Sequence, residues 1–536
     1  MLFLMGASTG AAYAVSNPGI TDVKIAQQDG ACTGIVKDAT GETVIGASVV
    51  VKGTTNGTIT GIDGDFSLSN VKKGDVIVIS FVGYISQEIV WDGKPVNVTL
   101  KDDTQTLDEV VVVGYGTQKK VNVTGAVGMV DSKVIAARPV QNVSQALQGV
   151  IPGLNLTVGN SGGSLDGEMN INIRGTGTIG DGSGSSPLVL IDGIEGNLNT
   201  VNPNDIESVS VLKDAASASI YGARASFGVI LVTTKSGKSG KTNVNYSGNV
   251  RFNDAIGIPE LMDSYTFAQY FNRASSNRGG GDIFSPAVME RIKAYQEGTL
   301  TATTVDNGSG IWQKWANANG NTDWFGEFYD NWVPSQEHNL SISGGTEKLQ
   351  YVLSGSFLDQ KGLLRHGTDK FQRYTLNSKI TANITDWLKV TLNSKWTRED
   401  FQRPTYLTSS FFHNLARKWP VHPAYDPNGF PMDEGEIEQM ENGGEQNSQK
   451  DYYTNQLHVV IEPIKNWRIN LEGSVRTTTQ YQHWEVLPVH AYDVNGDPYY
   501  TVWDMGYGSY SAGSSRVDEY SWKENYYTTN IYSDYF

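Results

Sequence analysis

The side chains that most often carry out chemistry in proteins are few and scattered along this sequence. The chain has seven histidines and a single cysteine, Cys32. The histidines show no metal-ligand spacing, and we interpret His413, His422 and His458 as loop or wall residues. No catalytic triad, metal cluster or phosphate-binding glycine loop is present in the pattern. The sequence therefore predicts no enzyme, no metal site and no cofactor, and a lone cysteine rules out an intramolecular disulfide framework.

The most distinctive stretch is a run of four valines, Val110–Val113, which follows Asp108 and Glu109. β-Branched side chains favour an extended backbone, so this run is predicted to be a strand. No neighbouring segment offers an obvious hairpin partner. A strand with unpaired N–H and C=O groups is a template for a strand of another protein. The alternative is a buried strand of a soluble domain, and the pattern alone favours that alternative.

Composition narrows the class of protein. The 536 residues carry a net charge of -16, which argues against a nucleic-acid surface. No apolar run is long enough for a membrane-spanning helix, so any membrane insertion must use β-structure. The 59 glycines, 26 tyrosines and 12 tryptophans suit turn-rich β-structure with interfacial aromatic residues.

The pattern of residues 1–101 indicates export followed by a small domain. Residues 1–14 end in a small-x-small cleavage pattern and are predicted to be a signal peptide. Residues 15–31 are predicted to be a flexible leader. Residues 32–101 contain short alternating runs separated by Asp-Gly turns, which predict a β-sandwich that resembles the carboxypeptidase-regulatory-like domain. Asp63-Gly64-Asp65 lacks the full spacing of a calcium loop and is interpreted as a turn.

Residues 121–235 alternate predicted strands with short predicted helices, a pattern typical of a mixed α+β domain. A helix is predicted to start at Ser144 and to stop at Pro152 and Gly153. Five motifs follow in order: Asn172-Ile173-Arg174-Gly175, Leu190-Ile191-Asp192-Gly193, Asp205–Val209, Ala218–Gly222 and Val229–Thr234.

In this order the motifs resemble the plug domain of TonB-dependent outer-membrane transporters. Together with the sandwich and the valine run, they resemble the SusC-like branch of that family. The resemblance implies that residues 102–120 hold the TonB box and a linker, with Asp108, Glu109, Val110, Val111, Val112 and Val113 binding TonB. Among the plug residues, Gly175, Gly193 and Gly222 are expected in tight turns. Arg174 and Asp192 either pair and restrain the plug against the barrel wall or are ordinary polar core residues.

From residue 236 to residue 536 the pattern changes to long strands with one apolar and one polar face. Lys389, Lys395, Arg468 and Arg476 fall on the polar face. Such strands, joined by alternating short and long connections, are typical of a transmembrane barrel. We count about eight strands, whereas a barrel that holds a plug needs about 22. The predicted fold is therefore mainly β: a small sandwich, an α+β plug and the first part of a transmembrane antiparallel barrel, in what we expect to be the N-terminal portion of a longer protein.

The long connections, roughly residues 253–337 and 400–452, are predicted to be extracellular. One helix is predicted near Ser264, and a second is predicted with Ser285 as its cap, Pro286 in its first turn and Gly298 past its end. Two interpretations of the aromatic residues in the first connection remain open: stacking on sugar rings, or contact with a partner lipoprotein. The candidates are Trp312, Trp315, Trp324 and Trp332.

The resemblance implies active import of oligosaccharides across the outer membrane, with the N-terminal domain and the TonB box in the periplasm. The implied partners are TonB with its inner-membrane energising complex, a SusD-like lipoprotein, the ligand and outer-membrane lipid, and no nucleic acid. A peptide ligand is one alternative. A receptor or signalling protein without net transport is another, and a soluble carbohydrate-binding protein is a third.

Overall fold

The computed structural model describes residues 30–38, 40–81, 84–101, 110–113, 116–119, 127–138, 140–158, 164–175, 186–501, 503–504, 509–510 and 513–535. The chain divides into two compact units, Met1–Glu109 and Val110–Phe536. The predicted signal peptide, residues 15–29 of the predicted leader, and the predicted TonB-box residues Asp108 and Glu109 lie outside the described residues. The last two residues of the predicted leader, Gly30 and Ala31, belong instead to the first strand of the sandwich. No helix in the described ranges is long and apolar enough to cross a membrane.

The first unit contains the predicted β-sandwich. Its two sheets have the strand orders β4-β1-β7 and β3-β2-β5-β6. Alternate side chains point into a shared core, as Ile77 and Ile79 do in one strand, and Cys32 is buried there too. Gly64 has a φ of +70° and its N–H donates to the carbonyl of Gly61, so Asp63-Gly64-Asp65 includes a turn. The strands are β1 (Gly30–Lys37), β2 (Ser48–Val51), β3 (Gly57–Ile59), β4 (Asp65–Val71), β5 (Val76–Ser80), β6 (Gln87–Val90) and β7 (Val96–Thr99).

The valine run corrects one expectation. It forms β8 (Val110–Val113), which pairs antiparallel with β9 (Gly116–Lys119). This partner strand was not predicted, because Gly-Thr-Gln-Lys has little β-propensity. A two-residue connection places the strands in hairpin register regardless of that propensity. The valine strand therefore already has one paired edge.

The second unit continues with a mixed domain, called here the central domain (residues 127–234). Its main sheet has the order β10-β15-β16-β13-β14, in which only β13 and β16 are parallel, and β11 pairs with β12. Ile135, Leu147, Ile206, Val209 and Ile230 lie in its core. Its elements are β10 (Val127–Asp131), α1 (Ser132–Ala136), α2 (Val143–Leu147), β11 (Leu154–Val158), β12 (Met169–Ile173), β13 (Leu188–Ile191), β14 (Ile194–Glu195), β15 (Ile206–Leu212), α3 (Ala215–Ala218) and β16 (Val229–Thr234).

The helix predicted from Ser144 begins earlier and ends earlier. Asn142 caps α2 by accepting a hydrogen bond from the N–H of Gln145, and Ser144 lies inside the helix. The helix ends at Leu147, before the two residues that were expected to stop it. Both Asn and Ser are good caps, so sequence alone did not separate the two positions.

The rest of the second unit is dominated by a sheet of eight strands. Strands β17 to β23 and β28 pair antiparallel in chain order, and β24–β25 and β26–β27 are short hairpins within the last connection. The strands are β17 (Gly240–Asn253), β18 (Val333–Gly345), β19 (Leu349–Lys361), β20 (Lys370–Thr385), β21 (Leu388–Pro404), β22 (Glu445–Ile464), β23 (Trp467–Val486), β24 (His490–Tyr492), β25 (Pro498–Tyr500), β26 (Trp503–Asp504), β27 (Ser509–Tyr510) and β28 (Arg516–Tyr535).

The eight-stranded sheet has the two faces that the alternation predicts. One face presents apolar side chains with exposed fractions from 43% to 72%, among them Leu353, Leu376, Leu392, Leu457 and Ile531. The other face lies against the central domain. The four basic residues predicted for the polar face line cavities on that side, namely Lys389, Lys395, Arg468 and Arg476.

The long connections fold into what we call the cap (residues 254–332, 405–444 and 487–501). Trp324, Phe328 and Phe411 are fully buried in its core. The helix capped by Ser285 is confirmed, and Gly298 past its end has a φ of +74°. The third connection of the cap was not among those predicted. The cap helices are α4 (Ser264–Asn277), α5 (Pro286–Gln296), α6 (Trp324–Phe328), α7 (Ser409–Arg417) and α8 (Ile437–Asn442).

Candidate functional site: the contact between the central domain and the barrel wall

Asp192 occupies the turn that follows β13. Its φ is 50°, a left-handed conformation that Asp tolerates better than most residues, and Gly193 after it has a φ of +86°. The N–H of Asp192 donates to the carbonyl of Val232 at 2.8 Å. This turn projects the carboxylate away from the strand and towards the eight-stranded sheet.

The carboxylate of Asp192 meets two lysines of the sheet. Nζ of Lys379 lies 3.3 Å from Oδ1, and Nζ of Lys395 contacts Oδ2. Asn393 donates to Oδ2 at 3.0 Å, and Gln456 donates to the backbone carbonyl of Asp192 at 3.0 Å. The Asp192 side chain is 8% exposed and each lysine side chain is 16% exposed. Two neighbouring strands of the sheet thus hold the buried carboxylate, and a third strand holds the backbone carbonyl of the same residue.

The surroundings keep Asp192 ionised. Burial by itself raises the pKa of this carboxyl, but Lys395 and Lys379, with hydrogen bonds from Lys395 and the N–H of Thr234, outweigh burial and hold the pKa well below its usual value. Removing one partner of such a buried pair typically costs about 3–5 kcal/mol, because the remaining charge is left without compensation. The Asp192 contact is therefore a strong candidate for the attachment of the central domain to the sheet.

Arg174 does not take part in this contact. It is exposed, has a φ of 59°, and its N–H donates to the carbonyl of Gly153 at 2.8 Å. Of the two interpretations left open, the Arg174–Asp192 pair is contradicted, because Asp192 pairs with lysines of the sheet instead and meets the wall through them. Gly175, with φ +98°, and Gly222, with φ +64°, hold left-handed turns, as expected for a structural role.

Further contacts follow Asp192 along the chain and were not predicted. The guanidinium of Arg476 donates to the carbonyl of Glu195 at 2.5 Å, and that of Arg373 donates to the carbonyl of Asn199 at 2.6 Å. The side chains of Asn202 and Asn339 are hydrogen-bonded, and so are those of Asp205 and Asn377. The one signal in the sequence is the density of asparagine at positions 197, 199, 202 and 204. Residues 192–205 are therefore the anchored segment of the central domain.

Two cavities flank the anchored segment. The first, of about 470 Å³, is lined by Ile194, Lys395, Lys450, Arg476 and Trp522, among others. The second, of about 1080 Å³, is lined by Asp192 and Lys379 and by the residues of the short turns of the sheet. His458 lines this second cavity, as a wall residue should.

The four candidate tryptophans have different surroundings. Trp324 is fully buried and its indole N–H donates to the carbonyl of Trp419 at 3.0 Å. The Trp315 ring stacks on His422 with centroids 4.6 Å apart, and Trp312 is half-buried. Trp332 is 70% exposed. Trp324 is thus a core residue of the cap and offers no surface to a ligand, whereas Trp332 remains a candidate for such contact.

The cap also encloses a polar cluster that sequence reasoning missed. Nζ of Lys418 lies 3.1 Å from Glu436 and 4.7 Å from the ring centre of Trp324. Burial lowers the pKa of Lys418, although Glu436 opposes that effect. Burial and the charge of Lys418 together lower the pKa of His422 well below its usual value, so His422 is neutral. The described residues contain no group of His, Cys, Asp and Glu side chains suited to a metal ion.

Comparison with known proteins agrees with this arrangement. A model of the TonB-dependent Receptor Plug Domain matches residues 119–229, and a model of the CarboxypepD_reg-like domain matches residues 32–112. The TonB-dependent receptor SusC of Bacteroides thetaiotaomicron is 37% identical over 375 residues, which are 68% of this chain and 33% of that protein. The chain belongs to the SusC-like TonB-dependent receptors. The central domain is accordingly the plug, and the eight-stranded sheet is wall of the barrel.

Other relatives support the same family. The TonB-dependent receptor P39 of Formosa agariphila is 33% identical over 72% of this chain and 34% of its own length. A chain of the RagAB peptide importer in its open-open state matches with a TM-score of 0.63 and 24% identity, over 80% of this chain and 47% of that one. This chain thus spans about a third of the length of the curated relatives it matches. These relatives are receptors and transporters, not enzymes, and the family and fold indicate the outer membrane.

Proposed function

We propose that this protein takes part in TonB-dependent active import of oligosaccharides across the outer membrane, together with a SusD-like surface lipoprotein. The observation that carries the proposal is a plug fixed to the barrel wall at Asp192 and preceded in the chain by a valine strand, one edge of which pairs with no other described strand. In this scheme the N-terminal domain and the valine strand are periplasmic. TonB, energised from the inner membrane, pairs with the valine strand and pulls.

In this proposal the TonB strand adds to the edge of β8 that does not pair with β9, and the register of the hairpin decides which valines lie on that edge. Val113 and Gly116 flank a two-residue connection, which makes them the hydrogen-bonded pair. Hydrogen bonding alternates along β8, so Val111 bonds to β9 whereas Val110 and Val112 direct their N–H groups to the free edge. A strand of TonB that adds to this free edge needs no rearrangement of the hairpin.

Replacing Val112 with proline tests this assignment, because proline removes the free-edge donor and leaves the hairpin bonds in place. We expect Val112→Pro to abolish growth of the host on a carbon source that depends on this receptor, and to leave ligand binding at the cell surface unchanged. Val112→Thr, which keeps the N–H and the branched shape, is the matched control. Normal growth of the proline variant would refute the TonB-box assignment.

The ligand class is a separate part of the proposal. The family resemblance implies a glycan, whereas the solved relative is a peptide importer by name. Growth of a receptor-deleted strain on panels of oligosaccharides and of peptides, compared with the complemented strain, distinguishes the two classes. A deficit confined to peptides would replace the glycan proposal and leave the import proposal intact.

A further inference from the structure

The two cavities beside the plug lie towards opposite ends of the barrel wall. The first is lined by Lys450 and Gln480, which are nearer the cap ends of β22 and β23. The second is lined by Lys348 and Asp386, which belong to the short turns at the other end. The first cavity is therefore the one that faces the cap, and we call it the upper cavity.

Lys395 is a residue of the wall that connects the two cavities. It lines the upper cavity, and its Nζ binds Asp192, which lines the other cavity. Lys379 also binds Asp192 but does not line the upper cavity. A group that binds Lys395 from the upper cavity therefore competes with the plug for the same ammonium.

The charges around Asp192 favour an anionic competitor. Two lysines share one carboxylate, which leaves one positive charge in excess. Elsewhere in the upper cavity, Arg476 lies 3.9 Å from Glu524, and Glu195 pairs with Arg224. The side chain of Lys450 has no hydrogen bond or ion pair with other described residues, although its charge acts on the carboxyl of Glu399. The upper cavity thus carries its positive excess at Lys395 and Lys450.

We propose that the upper cavity binds an imported ligand with at least two carboxylate groups, one at Lys395 and one at Lys450, and that the carboxylate at Lys395 weakens the hold of this lysine on Asp192. The inference rests on the proposed import function and names the chemistry of its ligand. Two carboxylates that share one ammonium repel each other, so an occupied upper cavity loosens the plug. Lys395 is then a positioning residue, through which ligand binding weakens the attachment of the plug to the wall.

The test uses the native receptor purified from outer membranes in detergent. The acidic probes are trigalacturonate and triglutamate, and the neutral counterparts are methyl-esterified trigalacturonate and triglutamine. We expect an acidic probe to bind about tenfold to a hundredfold more tightly than its counterpart in calorimetry, as for a lost charged hydrogen bond. The sugar and peptide arms distinguish the two sources of the carboxylate. Equal binding of acidic and neutral probes, or no binding of either acidic probe, overturns the inference.

Three variants separate binding from coupling. Lys395→Gln removes both roles, Lys379→Gln weakens the plug contact alone, and Lys450→Gln weakens the cavity alone. We expect the acidic probe to accelerate hydrogen exchange at residues 192–196 in the native receptor and in Lys450→Gln at saturation, but not in Lys395→Gln. Affinity should fall strongly in Lys395→Gln and Lys450→Gln, and less in Lys379→Gln, which removes the excess charge beside Asp192 but no contact with the probe. A probe that slows this exchange, or binds Lys395→Gln as tightly as the native receptor, overturns the coupling.

Failure of this inference is distinguishable from failure of the import proposal. If Val112→Pro abolishes growth while Lys395→Gln binds and imports normally, import stands and the role of Lys395 is refuted. If Val112→Pro grows normally, the import proposal fails whatever the binding data show.

Discussion

At the scale of single residues, Asp192→Asn separates the charge of the plug contact from its shape. The amide fits the same space but leaves Lys379 and Lys395 without a carboxylate. We expect the attachment of the plug to weaken by about 3–5 kcal/mol, because the lysines stay buried and uncompensated. Faster hydrogen exchange across residues 192–205, with unchanged exchange in the barrel strands, is the measurement that checks it.

Asp205 provides the matched control for that substitution. Its carboxyl is hydrogen-bonded to Asn377, and burial raises its pKa, with hydrogen bonds from Ser354 and Asn377 offsetting only part of the effect. Asp205→Asn removes no close ion pair and should change the exchange rates little. Equal effects of the two substitutions would contradict a special role for the charge of Asp192.

The same residue predicts a pH dependence. The pKa of Asp192 is lower in the folded state than in the unfolded chain, so its stabilising contribution is complete above the unfolded pKa of about 3.9. The contribution is lost as the pH falls below that value towards the folded pKa. The difference in exchange at residues 192–196 between Asp192→Asn and the native receptor should therefore be constant from neutral pH to about 4, and should shrink below it. Taking this difference cancels the titration of Asp205, whose pKa is raised.

At the scale of elements, one edge strand of the plug sheet follows the valine strand in the chain, and the other edge lies beside the anchored segment. β10 is the edge strand nearest in sequence to the valine strand, whereas Asp192 lies next to β13 at the other end of the strand order. Force applied through β8 therefore reaches β10 first. We infer that β10 peels from β15 while residues 192–205 stay on the wall.

A disulfide tests that order of events. Met129 and Ser210 are directly opposite each other in β10 and β15, a spacing that suits a cross-strand disulfide. We expect oxidised Met129→Cys/Ser210→Cys to stop import and reduction to restore it, measured as uptake of a labelled ligand. Each single cysteine variant controls for the substitution itself. Undiminished uptake in the oxidised double variant would show that β10 need not separate from β15.

The sequence predicts a feature well when the residues that determine it are close together in the chain, and poorly when they are far apart. The two-faced strands and the cap of α5 at Ser285 were predictable, because alternation and capping are local properties. The partners of Asp192 were not, since Lys379 and Lys395 lie 187 and 203 residues further along the chain. The β8–β9 hairpin was missed because pairing there depends on turn geometry more than on strand propensity.

At the scale of the whole molecule, the cap has its own core and should lose structure separately from the barrel. Trp324→Ala removes a fully buried side chain, which typically costs about 3–5 kcal/mol. We expect faster hydrogen exchange in residues 254–332 and 405–444 and no change in the barrel strands. Trp332→Ala, at an exposed position, should alter stability by no more than about 0.5 kcal/mol.

The same pair of variants decides how the cap tryptophans act. A loss of ligand binding in Trp332→Ala with normal exchange would assign Trp332 to ligand or partner contact. If Trp324→Ala left exchange in the cap unchanged, the core role of Trp324 would be refuted. The sequence could not separate these two tryptophans, because their burial is set by contacts between connections that are distant in the chain.

The order of the strands also bears on how the receptor is made. Each barrel strand pairs with its neighbour in sequence, so the wall can be assembled one hairpin at a time as the chain arrives. The plug precedes these strands in the chain, so the charge of Asp192 is neutralised only once β20 and β21 supply Lys379 and Lys395. Gln456 of β22 adds its bond to the backbone carbonyl of Asp192. The attachment of the plug therefore depends on strands that are synthesised after the plug itself.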